Sequence, residues 1–149
     1  MKRIFVAALF SLVSFFFVSV IQAQVVSVPN KSEQHLAEKY PDAKSINWSN
    51  NVTNYNAKFN VGADSYKAIY HMDGTWDYTE KNSDIKKFPE AVQTSYKNSR
   101  IAKWKYQSAV VVENNKGEVL YRVEAKKNIE KIYVFFDEGG KEIKSASSL

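Results

Sequence analysis

The side chains able to do chemistry are few. The chain has no cysteine and two histidines, His35 and His71, which rules out thiolate chemistry, disulfides and a lipid-modified N-terminal cysteine. His71 stands in HMDGTWD with Asp73 and Asp77, and an imidazole beside two carboxylates can hold a metal ion. The spacing argues against that use, because a tight turn itself selects Asp73, and Asp77 lies across the turn. His35 precedes Leu36 in a helical stretch and is expected at the surface. Asp137-Glu138 lacks both the calcium-loop spacing and the second placed carboxylate of a glycosidase. No catalytic residue, no metal site and no cofactor are expected, and the enzyme reading ranks last.

What this inventory leaves is a surface. Lys67, Ile69 and His71 alternate along one segment, Tyr133 and Phe135 along another, and Arg122 lies between them in sequence. On an uncovered sheet face these six residues would form an aromatic and cationic patch of the composition favoured by binding hot spots. Such a patch serves a partner, a second copy of the chain, or plain packing.

Strands must position those residues. Tyr55–Val61 alternates with period two, with Tyr55, Ala57, Phe59 and Val61 on one side. SYKAIYHM continues the alternation, placing Tyr66, Ala68 and Tyr70 opposite Lys67, Ile69 and His71. Asp73-Gly74 is a strong hairpin signal, since glycine reaches positive φ at little steric cost, and TWDYTE follows as a third strand. SAVVVEN, EVLYRVEAK and KIYVFFDEGGKEI repeat the order, with Ile132, Val134 and Phe136 facing the core and a hairpin at Asp137–Gly140.

Two short helices precede these runs. NKSEQHLAEKYP has Ser32 as its N-cap, Leu36 and Tyr40 on one face and Pro41 as its stop. FPEAVQTSYK has Pro89 in the first turn and Val92 and Tyr96 at the same spacing. YPDAKSINW and YKNSRIAKW carry one aromatic frame twice, Tyr40 to Trp48 and Tyr96 to Trp104. These four residues are expected to lock each helix to the strands after it. The fold class predicted is α+β: a tandem repeat of one helix and a three- to four-stranded antiparallel sheet, with the helices on one sheet face.

Lys2 and Arg3 followed by the apolar run Ile4–Ile21 and Gln22-Ala23-Gln24 predict a secretory signal peptide over 1–23; the competing reading is an uncleaved membrane anchor, since the run reaches the lower limit for spanning a bilayer. Residues 24–31 form an N-terminal extension, and 32–149 a single domain of two repeats, 32–82 and 83–149. The chain is expected in the periplasm or outside the cell, without stable membrane insertion after cleavage. Without Lys2 and Arg3 it holds 19 basic against 16 acidic side chains. The lysines are dispersed, so nucleic acid is not an expected partner.

Tyr40-Pro41-Asp42-Ala43, Trp48, Met72-Asp73-Gly74-Thr75-Trp76 and Phe88-Pro89 together resemble the PepSY-like, β-lactamase-inhibitor-like family of small exported proteins common in Bacteroidetes. The resemblance implies a tandem repeat whose sheet forms a concave surface, similar to inhibitors that clasp a secreted hydrolase, and brings no catalytic residues with it. The second hairpin departs from the first, with Gly139 in place of Asp73 and no tryptophan after Gly140. The expected function is an exported, non-enzymatic binding module that inhibits or regulates a secreted hydrolase or protease through its open sheet face. The alternative is a structural or small-ligand-carrying envelope protein.

Overall fold

The structure, a computed structural model, describes residues 26–148. The expected leader lies outside the described residues. Two helices, α1 (Asn30–Lys39) and α2 (Glu90–Asn98), accompany eight strands: β1 (Lys44–Asn50), β2 (Asn54–Val61), β3 (Asp64–His71), β4 (Trp76–Ser83), β5 (Lys105–Asn114), β6 (Val119–Lys127), β7 (Glu130–Phe136) and β8 (Glu142–Ser148). The strands pair antiparallel in sequence order to form one sheet. The class is α+β, and every strand connection except β4 to β5, which carries α2, is a short turn.

Both helices begin immediately after a proline, Pro29 and Pro89. Proline suits a helix start because the amide it lacks would have no helical partner there. Tyr40 caps the C-terminus of α1, its amide donating to Leu36 O, and Pro41 prevents a further turn. Ser32 is not the N-cap expected from the sequence. It lies inside α1, fully buried, and its Oγ donates to the Gly74 carbonyl at 3.2 Å. The helix starts earlier because Pro29 fixes its own φ at −58° with extended ψ.

Each helix has its own apolar cluster. Leu36 packs with Ala57, Phe59, Ala68 and Tyr70, whereas Val92 packs with Phe88, Ile101, Val123, Val134 and Phe136. Ala68 pairs with Thr79 and Thr79 with Glu113, which is an even number of residues from Ala109 of the second cluster. Residues an even number apart on a strand share a face, so both clusters lie on one face of the sheet. Lys39 spans the seam between them: its Nζ lies 2.7 Å from Glu113 Oε1 and 4.5 Å from the Trp76 ring centre.

β1 does not announce itself by alternation. In KSINWSN only Ile46 and Trp48 are apolar, and Ile46 is exposed. The ladder to β2 also breaks between Lys44 and Asn47, where Ser45 takes φ +56°. The four residues of the aromatic frame all pack at the rims of the clusters, Tyr40 and Trp48 on one, Tyr96 and Trp104 on the other. They are not placed equivalently. Tyr40 caps α1 while Tyr96 is inside α2, and Trp48 is within β1 while Trp104 precedes β5.

Candidate binding face

The face opposite the clusters follows from the register. Ile69 pairs with Tyr78 and Asn56, Lys67 with Glu80 and Lys58, and Glu80 with Val112. Val110 pairs with Arg122, Arg122 with Phe135, and Glu124 with Tyr133. A bulge decides who belongs here. Between Ile69–Tyr78 and Tyr70–Trp76 the ladder carries one extra residue, Asp77, and such an insertion re-aims the side chains beyond it.

Its centre is an ion pair. Arg122 Nη1 donates to Glu80 Oε1 across the intervening strand β5, with the two side chains only 18% and 11% exposed. The guanidinium also lies over the Tyr133 ring, 5.2 Å from its centre, within cation–π range. Tyr78, Val112, Asn114, Arg122 and Phe135 enclose a hollow of about 210 Å³ beside the pair. Burial, reinforced by the Glu80 carboxylate, raises the Tyr78 phenol above its ordinary value. Tyr78 is therefore a neutral hydrogen-bonding group at physiological pH. Further along, Glu124 accepts from Ser108 and Lys131. Burial works against its charge, yet those two bonds hold its carboxyl below the usual range.

The six residues singled out by sequence divide. Arg122, Tyr133 and Phe135 are brought together, and Lys67 lies one row away beside Glu80. Ile69 is not available as a contact residue: it is 4% exposed, flanked in register by Asn56 and Tyr78. Val110 and Val112, at alternate positions of β5, are buried likewise. His71 stands apart at the β3–β4 hairpin, exposed, its Nε2 3.8 Å from Asp77 Oδ1. Sequence reasoning missed Tyr78, Glu80, Val112 and Asn114. The alternation in TWDYTE could have paired Tyr78 with Glu80, but their face depends on the bulge.

Asp73 accepts from Thr75 N and Thr75 Oγ1 and so closes its own turn, with those bonds lowering its pKa. Among the described residues no group of three His, Cys, Asp or Glu side chains is gathered so as to hold a metal ion. His35 is not the surface residue expected. Its ring stacks on Trp76 with centres 5.1 Å apart, and Nδ1 lies 3.1 Å from the Tyr70 hydroxyl. No helix among the described residues is long and apolar enough to cross a membrane.

No protein-family model and no curated protein sequence matches the chain. Solved structures do. A BLIP-like protein of Bacteroides fragilis aligns at TM-score 0.72 and 21% identity, over 83% of this chain and 89% of that one. A DUF2874 family protein of Bacteroides ovatus aligns at TM-score 0.73 and 17% identity over the same shares. A protein of Bacteroides eggerthii, named as a candidate periplasmic protein, aligns at 0.71 and 18% over 82% and 90%. The chain therefore has the fold shared by BLIP-like and DUF2874 proteins of Bacteroides.

Proposed function

We propose that this chain is an exported, non-catalytic binding protein that presents its open sheet face, centred on Arg122, Tyr133, Phe135 and Tyr78, to a secreted hydrolase or protease. One observation carries the reading: a mostly buried ion pair beneath an aromatic ring borders an apolar hollow on the face opposite the two apolar clusters. Interface hot spots favour arginine and tyrosine beside a desolvated pocket. The BLIP-like name of one structural neighbour is consistent with a protein-binding role. The duplicated unit belongs to the same proposal. Pro29 and Pro89 open the two helices, and Gly74 and Gly140 close the β3–β4 and β7–β8 hairpins, each with φ +82°.

The test is capture from envelope extract of the host by wild type, by Tyr133→Ala/Phe135→Ala, and by Lys116→Ala on the β5–β6 turn as a control. A secreted hydrolase retained by wild type and the control, lost with the aromatic double variant, and slowed in an activity assay by wild type is the expected result. Equal retention by all three proteins would remove this face from the reading.

A second reading, a small-ligand-carrying envelope protein, is favoured by a separate feature, a polar hollow of about 350 Å³ near the β2–β3 turn.

A further inference from the structure

At the β2–β3 end of the open face, Lys58 and Lys67 stand directly opposite each other in the ladder. Like charges so placed are destabilising, their Cβ atoms being about 5 Å apart. The arrangement has no internal remedy. Among the described residues neither lysine has a carboxylate within ion-pair distance, and Glu80, the cross-strand neighbour of Lys67, is engaged by Arg122.

The two lysines border the hollow of about 350 Å³, which Ser45, Asn60, Ser65, Tyr66 and Asn82 also line, together with Glu80, directly across the ladder from Lys67. Ser65 donates to Asn60 Oδ1 at 2.9 Å, which orients the Asn60 amide and leaves its NH2 group as a donor. Ser45 lines the hollow from the bulge of β1 with φ +56°. A non-glycine residue there is uncommon, and bulges occur preferentially beside functional sites. A like-charge pair, a bulge and a strained serine in one place break local rules with no structural gain, which is the pattern of a site kept for function.

We propose that this hollow binds an anionic saccharide residue, with Lys58 and Lys67 on its carboxylate or phosphate and Asn60, Asn82 and the two serines on its hydroxyls. The paired ammonium groups supply the field for the anion, and amide and hydroxyl groups that both donate and accept suit ring hydroxyls. A hollow of this size is within the range of small-molecule sites. The site rests on the open face being the binding face, but it uses none of the Arg122, Tyr133 and Phe135 group.

The experiment is amide-resonance titration of the full mature chain with glucuronate, glucose 6-phosphate, glucose and inorganic phosphate, on wild type and Lys58→Gln/Lys67→Gln. Glucuronate, glucose 6-phosphate or both should shift Lys58, Asn60, Lys67 and Asn82, with glucose at least tenfold weaker, and the double variant should lose at least tenfold in affinity. The two anionic sugars separate a carboxylate from a phosphate requirement. The double variant should also unfold at a higher temperature than wild type in the absence of ligand. Inorganic phosphate binding as tightly as glucose 6-phosphate would overturn the saccharide assignment. Absence of shifts with both anionic sugars, or unchanged affinity in the double variant, would overturn the site. Any of these failures leaves capture by Tyr133 and Phe135 unaffected, so the two readings fall separately.

Discussion

Gly74 and Gly140 share one backbone conformation, φ +82° in each, and each is pressed against a different helix. A Cβ on Gly74 would stand 2.8 Å from Pro29 Cβ, and one on Gly140 only 2.5 Å from the Ala91 carbonyl oxygen. The hairpins close alike, Gly74 N donating to His71 O and Gly140 N to Asp137 O. Each glycine thus serves twice: it permits the turn, and it lets a helix settle onto the hairpin beside it.

Alanine at these positions separates the two services. Gly117 also has positive φ, +78°, but open space around it, so Gly117→Ala should cost only the conformational term, about 1 kcal/mol. Gly140→Ala adds a clash with backbone that cannot rotate away, and should cost about 3 kcal/mol or more. Gly74→Ala, facing the rigid Pro29 ring, should fall near Gly140→Ala. Denaturant unfolding of the three variants checks the order, and equal losses in all would show that the helices do not press on their hairpins.

Ser32 fastens α1 to the same hairpin through its bond to the Gly74 carbonyl. Ser32→Ala removes the donor from a fully buried site and should cost about 1 kcal/mol. Proteolysis that samples local opening should detect a looser α1 in that variant.

His35 makes the packing of α1 sensitive to acid. Its pKa is lowered first by burial and then by Lys39 on its own helix, while Glu38 and Glu113 of β5 act in the opposite direction. Because the folded value lies below the unfolded one, the unfolded chain binds the proton first as pH falls. The stabilisation is therefore complete above about pH 6.5 and is lost as pH drops through the folded pKa. Urea midpoints should decline from pH 7.5 to pH 5 in wild type. His35→Gln should flatten that decline, since Asp64, Asp73 and Glu124 all have lowered values and titrate below the window. An unchanged slope in the variant would assign the decline elsewhere.

Where local periodicity and turn chemistry suffice, this fold is legible. The Leu36 to Tyr40 spacing, Pro41, Asp73-Gly74 and the alternation of Phe59, Tyr70, Val134 and Phe136 all act within a few residues, and each predicts the element in which it lies. β1 is not legible, because a strand exposed at most positions has no reason to alternate. Nor are the partners on the open face, since Arg122 and Glu80 are forty-two positions apart. Their meeting requires the order of β4, β5 and β6 and the extra residue at Asp77. Ile69 misleads for a related reason: alternation assigns it to the face of Lys67 but says nothing of its burial, 4% exposed between Asn56 and Tyr78 in register.

Ile69 therefore distinguishes stability from recognition. With 4% exposure, Ile69→Ala should destabilise by about 2–4 kcal/mol. Phe135→Ala, at a half-buried site bordering the hollow, should cost less stability and more partner retention. Thermal melts alongside capture of the partner test both statements, and a fully stable Ile69→Ala that loses the partner would reverse them.

The pair at Arg122 and Glu80 gives the sharpest test, because stability alone does not account for it. Bringing two charges to a site where they are 18% and 11% exposed costs desolvation that their attraction and hydrogen bonding only offset. Removing one partner strands the other: Glu80→Gln leaves the guanidinium unneutralised between Val112 and Tyr133, and should cost about 3 kcal/mol. Arg122→Met strands the carboxylate and should cost about as much. Removing both, as Arg122→Met/Glu80→Leu, leaves apolar side chains of similar reach among Tyr78, Val112 and Phe135. That variant should lie within about 1 kcal/mol of wild type, so the double-mutant cycle should give a large coupling. If the pair is held for recognition, the stable double variant should nevertheless lose the partner captured by wild type, since it no longer offers the arginine over the tyrosine ring. A double variant that is both stable and fully competent in capture would show that the charges are dispensable to binding, and would move the recognition site off the centre of this face.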